Sequence, residues 1–188
     1  MSRLVGATLN TPVGPLRAIA SESGLCGLPF LPDTRRVPAV NRSRHRMDAR
    51  LGRWFGGSDI DDDPSDPVLR QTREWLDAYF AGHANRPLPP LDMRGNDFER
   101  RVWAALLDIP IGTTTSYGAL ARNVGNPSAS RAVGLANGAN PVPIIVPCHR
   151  VIGASGALTG YGGGLGRKAW LLDHERRHWG NELTLQFS

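Results

Sequence analysis

Residues 115–138, TSYGALARNVGNPSASRAVGLANG, run directly into residues 139–152, ANPVPIIVPCHRVI. The first block reads as two short helices around a turn. Ser116 is placed to cap YGALARN, because its hydroxyl can accept a free N–H of the first turn. Gly125-Asn126-Pro127 interrupts the chain. Ser128 is placed to cap a second helix, SASRAVGLANG, which is rich in small residues. Helix, glycine-containing turn and helix at this spacing predict a helix-turn-helix. The second block is too rich in proline for a helix and is expected to be extended.

Outward from this centre, GASGALTGYGGGLG (153–166) is a loop and RKAWLLDHERRHW (167–179) a closing helix. Upstream, residues 97–108 form an amphipathic helix with Phe98, Val102, Ala105 and Leu106 on one side. Residues 67–82 are a second such helix, opened by Pro67 and closed by Gly82, with Leu69, Trp75 or Leu76, and Phe80 on a face. HANRPLPPLDMRG (83–95) is the best candidate linker. Residues 3–31 alternate in short runs between turns and predict a small antiparallel sheet. Residues 33–66 carry Arg35, Arg36, Arg42, Arg44, Arg46, Arg50 and Arg53, then Asp59, Asp61, Asp62, Asp63 and Asp66. Such blocks of charge usually form solvated loops, here with a short helix around Met47–Trp54. The fold class is α+β, with a small sheet domain at 1–90 and a mostly helical domain at 91–188.

The whole chain has 188 residues, enough for two small domains. Its 40% apolar and 21% charged residues are ordinary for a globular protein. No apolar run is long enough to span a membrane, and MSRLVGATLN lacks the apolar core of a signal peptide, so a cytoplasmic protein is expected. The net charge of +5 and the pI near 10.0 favour a polyanionic partner. Only Lys168 among the 22 basic residues is lysine.

Two cysteines, Cys26 and Cys148, exclude a disulfide framework and a zinc finger. The usual reading of a lone cysteine, a small buried hydrophobe, fits Cys26 in its apolar strand. Cys148 sits in Pro147-Cys148-His149-Arg150, where cationic neighbours favour the nucleophilic thiolate. In an extended segment, adjacent side chains face opposite ways, so His149 would reach the sulfur through a bridging water. A base needs an orienting partner, and Glu175 on the closing helix can serve. Gly160–Gly166 lacks the strand and the lysine of a phosphate-cradling loop. Asp173, His174 and His178 match no metal-ligand spacing and read as a solvated helix face.

From Gly95 to Glu175 the chain resembles, without a gap, the catalytic domain of the O6-alkylguanine-DNA alkyltransferases. IIVPCHRVI after a helix-turn-helix is that family's active-site signature. The resemblance implies an RNase H-like N-terminal domain and a winged-helix-like C-terminal one. It implies that Cys148 accepts the alkyl group, that His149 and Glu175 relay its proton, and that Asn140 ties the recognition helix to the active-site segment. Tyr117 would donate a proton to the guanine. Arg131 would fill the gap left by a flipped nucleotide, on a helix whose Ala129, Ser130, Ala132 and Gly134 meet the minor groove. Tyr161, Val151 and Gly162 would line the base pocket, with the main chain at Cys148 and Val151 reading the base edge.

The activity implied is single-turnover repair of O6-alkylguanine, and of O4-alkylthymine, in double-stranded DNA. No cofactor, metal or membrane is involved, and the chain is expected to be monomeric in solution; assembly along DNA is left open. Two alternatives compete. A non-catalytic sensor of alkylated bases would carry tryptophan in place of Cys148. A cysteine hydrolase would need its histidine distant in sequence rather than adjacent.

Overall fold

The computed structural model describes residues 3–32, 41–56, 59–83 and 86–180, with backbone only for 41–46. It divides into two compact units, Met1–Arg94 and Gly95–Ser188.

In the first unit, β1 (Leu4–Leu9), β2 (Leu16–Ser21) and β3 (Gly24–Gly27) form an antiparallel meander. Gly14, at φ 108°, closes the first turn and donates its N–H to the Thr11 carbonyl at 3.0 Å. A fourth strand, β4 (Ile60–Asp62), pairs in parallel with β1 and completes the order β3-β2-β1-β4. This corrects the expectation of a loop through the acidic run. Edge strands tolerate charge, and Asp61 and Asp62 are matched across the edge by Arg3 at 3.3 Å and Arg17 at 2.8 Å.

The arginine-rich stretch is also more ordered than expected. Arg42, Arg44, Arg46, Arg50 and Arg53 all lie on α1 (Asn41–Phe55); Arg35 and Arg36 lie outside the described residues. Met47, Leu51 and Phe55, four residues apart, bury one stripe of that helix against Leu4, Ile19 and Cys26. α2 (Pro67–Phe80) is capped by Asp66, whose carboxylate accepts from Val68 and Leu69 N–H. The proline-rich segment is not a free linker: Leu25 N–H donates to the Pro90 carbonyl at 2.8 Å, and Asp92 N–H donates to Leu25 at 2.9 Å. Its prolines lack an N–H but keep the carbonyls that a sheet edge can use.

The second unit opens with α3 (Asp97–Leu107), held at its start by a reciprocal Asn96–Glu99 capping box. Its Val102, Trp103 and Leu106 are buried, and Trp103 Nε1–H donates to the Ala136 carbonyl at 2.9 Å. α4 (Tyr117–Asn123) starts at Ser116, whose Oγ accepts from Ala119 N–H at 3.1 Å. α5 (Ser130–Gly138) starts one residue later than a Ser128 cap implies and has no side-chain cap. Ser128 spends its hydroxyl on Asn126 Oδ1 instead, at 3.1 Å.

Two-residue strands β5 (Thr115–Ser116) and β6 (Val151–Ile152) pair in parallel, bringing the start of α4 beside the segment after Cys148. α6 (Leu165–Trp179) closes the unit. No helix among the described residues is long and apolar enough to cross a membrane.

Candidate active site

Cys148–Arg150 form a single 3-10 turn rather than the extended run expected from the prolines. Cys148 N–H donates to Val146 O at 2.8 Å, Arg150 N–H to Pro147 O at 3.0 Å, and Val151 N–H to Cys148 O. The turn separates successive side chains by about 120°, so His149 is not thrown to the face opposite the sulfur, as it would be in a strand. Upstream, Asn140 bridges the end of α5 to this segment: its Nδ2 donates to Val146 O at 2.7 Å and its Oδ1 accepts from Val142 N–H at 3.0 Å. Between these anchors Ile144 is buried at φ 76°, a conformation that β-branched residues seldom adopt.

Cys148 is 5% exposed and His149 fully buried. The centre of the site is Glu175, which α6 turns inward. Its carboxylate accepts from His149 Nε2 at 2.8 Å, from Arg150 Nε at 2.9 Å and Nη2 at 2.9 Å, and from Gly112 N–H at 3.1 Å. Burial works against this charge, but the bonds from His149 and Arg150 prevail and hold the carboxyl far below its usual range. Burial also lowers the His149 pKa, against the pull of Glu175, so the ring rests neutral. With Nε2–H given to Glu175, Nδ1 is the basic nitrogen, and this buried atom makes no hydrogen bond within the protein.

Arg150 does not serve the sulfur. It is committed to Glu175 and to the Ile109 carbonyl at 2.6 Å. Burial pushes the Cys148 thiol up to about 11, moderated by the Asn140 side chain and by the positive charge of Lys168. Cys148 therefore rests as a thiol.

Lys168 is the functional candidate that sequence reasoning missed. It is fully buried, and its Nζ donates to Val151 O at 2.6 Å and Thr159 O at 2.7 Å. The ammonium thus ties β6 to the glycine-rich loop and lies 5.9 Å from the Tyr117 ring centroid. Its being the sole lysine was a signal in itself. Asn137 was missed too: buried on α5, it donates Nδ2–H to the Cys148 carbonyl at 3.3 Å.

Among the expected pocket residues, Tyr117 donates its hydroxyl to Thr159 O at 3.2 Å. The Tyr161 ring stands edge-on to His149, with centroids 6.5 Å apart. Burial, helped by the Glu175 carboxylate, raises its phenol pKa well above the usual value. Val151 is buried, and a Cβ on Gly162 would meet nothing within 4 Å. On α5, Arg131 and Ala132 are exposed, while Ala129 and Ser130 are half-buried. Gly134 lies against Tyr117, where a Cβ would stand 3.7 Å from the ring. The expected solvated face at 173–178 is only partly so, since His174 is buried and stacks on Trp170 with centroids 5.1 Å apart. From Ile109 to Leu172 the chain contains no Asp or Glu at all, so no carboxylate of that span opposes an approaching phosphate.

Two family models cover nearly all of the chain. The DNA-binding domain of 6-O-methylguanine DNA methyltransferase matches residues 97–177, and its ribonuclease-like domain matches residues 4–91. The chain belongs to the 6-O-methylguanine DNA methyltransferase family. Within that family it is similar to the methylated-DNA–protein-cysteine methyltransferase of Mycobacterium tuberculosis, 46% identical over 178 residues, covering 95% of this chain and 96% of the relative. The enzyme of the same name from Methanosarcina acetivorans is 40% identical over 169 residues, covering 90% and 96%. The crystal structure of the Mycobacterium tuberculosis O6-methylguanine methyltransferase superposes with a TM-score of 0.74 at 43% identity, covering 97% of this chain and 98% of that one. A structure of the Mycobacterium tuberculosis protein in complex with DNA superposes at 0.73 with 44% identity, covering 95% and 96%.

Proposed function

We propose that this protein repairs alkylated DNA directly, transferring the alkyl group of O6-alkylguanine irreversibly to Cys148. The observation that carries the reading is the buried His149–Glu175–Arg150 cluster built onto the turn that bears Cys148. It supplies a neutral base, a counter-charge for that base once protonated, and an orienting partner.

Sγ attacks the alkyl carbon, the carbon–O6 bond breaks, and its electron pair leaves with the guanine. The thiol proton passes, through one water, to His149 Nδ1, and the imidazolium is stabilised by Glu175. A protonated resting thiol makes this transfer part of the reaction. The leaving guanine anion takes a proton from the Tyr117 hydroxyl, and the tyrosinate so formed regains one through solvent from the His149 imidazolium, so that the two charges cancel. The balance is an alkylated base and a thiol in, a repaired guanine and a thioether out. A thioether has no leaving group that these residues could activate, so each molecule acts once.

The target atom lies within the duplex, so the nucleotide must be flipped. α5 enters the minor groove, with Arg131 in the vacated place and the small residues around it allowing close approach. Readout there is nearly independent of sequence, and affinity falls with salt. Tyr161, Val151 and the open space at Gly162 receive the base, O4-alkylthymine included. The protein works as a cytoplasmic monomer and needs no cofactor.

The test is an intact mass after incubation with a duplex containing O6-methylguanine. One added methyl group on Cys148, absent in Cys148→Ser, is expected. Tight binding with no mass change would instead make the protein a sensor, and turnover of an acyl substrate would make it a hydrolase.

A further inference from the structure

Among the described large apolar residues Leu135 is the most exposed, at 71%, against 48% for Leu165 and 42% for Leu88. It sits in the middle of α5, not at a frayed end. The buried side of that helix is complete without it, through Val133, Ala136 and Asn137. At 100° per residue, Leu135 falls about 40° from Arg131 and one turn further along. The outer face that they share is finished by Ala132 and Gly138, both exposed. This face therefore projects two long side chains, a cation and a branched apolar group, above a floor of small residues.

Folding gives no reason for a leucine here, so a partner is implied, and its chemistry can be narrowed. A protein interface needs roughly 800 Å² on each side, which one leucine between a methyl group and a glycine does not approach. The span Ile109–Leu172 lacks any carboxylate, which suits a polyanion. Minor-groove proteins commonly drive a leucine or a similar wedge against a base step and open it.

We infer that Leu135 is a second intruding side chain, which enters the minor groove beside Arg131 and props open a neighbouring base step. The inference rests on the reading of α5 as the groove helix. Four residues of helix rise about 6 Å, and stacked bases are about 3.4 Å apart. Leu135 therefore meets the duplex about two base pairs from the flipped nucleotide. Its contact is apolar, so it adds affinity and distortion without base preference.

The experiment compares wild type, Leu135→Ala and Leu135→Met. Because the residue is exposed, neither change should move the melting temperature. Duplex containing O6-methylguanine is titrated at several salt concentrations, with 2-aminopurine placed two positions from the lesion on either side in turn. Loss of a buried leucine contact predicts about tenfold weaker binding for the alanine variant, with the slope of log affinity against log salt unchanged. The 2-aminopurine signal of unstacking, present in wild type and in Leu135→Met, should disappear from one of the two positions. Transfer from free benzylguanine should be unaffected. Affinity within twofold of wild type, a shallower salt slope, or an equal loss with the free base would overturn the inference. A wild-type protein that gains no methyl group would overturn the repair reading itself, which the same samples report by mass.

Discussion

Glu175→Gln is the sharpest test of the site, because the carboxylate serves four donors at once. Oε1 accepts from His149 Nε2 and Arg150 Nη2, while Oε2 accepts from Arg150 Nε and Gly112 N–H. An amide keeps one acceptor oxygen and replaces the other with an NH2 group. In either orientation, two N–H donors then face another donor, and the buried guanidinium of Arg150 loses its counter-charge. Breaking a buried ion pair by removing one partner costs about 3–5 kcal/mol. At roughly 2–4 °C per kcal/mol for a chain of this size, the melting temperature should fall by about 6–20 °C. A parent with about 10 kcal/mol of stability, the middle of the usual range, leaves the variant folded at 25 °C. Transfer should slow by about 10²–10⁴, the usual worth of a general base, since protonated His149 has lost its partner. Calorimetry and single-turnover methyl transfer at saturating duplex measure the two effects. A melting temperature within 2 °C of wild type would refute the ionic hub, and an unchanged rate in a folded variant would refute the relay.

Lys168→Met keeps the apolar stem but removes the ammonium donor from the Val151 carbonyl and leaves the Thr159 carbonyl with the Tyr117 hydroxyl. At about 1–3 kcal/mol for an unsatisfied buried group, a loss of about 1–3 kcal/mol is expected in chemical denaturation. Iodoacetamide should also alkylate Cys148 more slowly, because a charge that favours the thiolate is gone. In the pH dependence of stability, His149 and Glu175 act in the same direction. Both have folded pKa values below their ordinary 6.5 and 4.5, so the unfolded chain binds more protons and stability falls as pH drops. The decline should begin near pH 6.5 and steepen below 4.5, with Glu175→Gln diminishing the second phase in denaturant titrations, where the lowered carboxyls of Asp63 and Asp173 still contribute.

The elements legible in the sequence were those with local, self-contained signals. Ser116 announces its helix because a cap is a short-range hydrogen bond, and Pro67 and Gly82 bracket theirs through local backbone restriction. Pro147-Cys148-His149-Arg150 marks out the candidate nucleophile because its chemistry is unusual side by side. What was hidden depends on distant partners. Ile60–Asp62 is a strand only because β1 offers an edge and Arg3 and Arg17 offer charge. α1 hides its apolar stripe among arginines. Proline content argued for an extended segment at Cys148, but tertiary anchors from Asn140 and Asn137 hold a tight turn there instead. Glu175 was legible as a partner of His149; that Arg150 shares it, and so leaves the sulfur, was not.

The two cysteines of the chain lead different lives. Cys26 is fully buried, donates to the Ile19 carbonyl at 3.3 Å, and burial pushes its thiol up to about 12. Under the proposed reading, an electrophile admitted beside Cys148 therefore meets a single thiol. Under suicidal transfer, a population of these molecules titrates lesions one for one, and a thiol-directed label reads off whatever capacity is left. The protein is in this sense its own dosimeter.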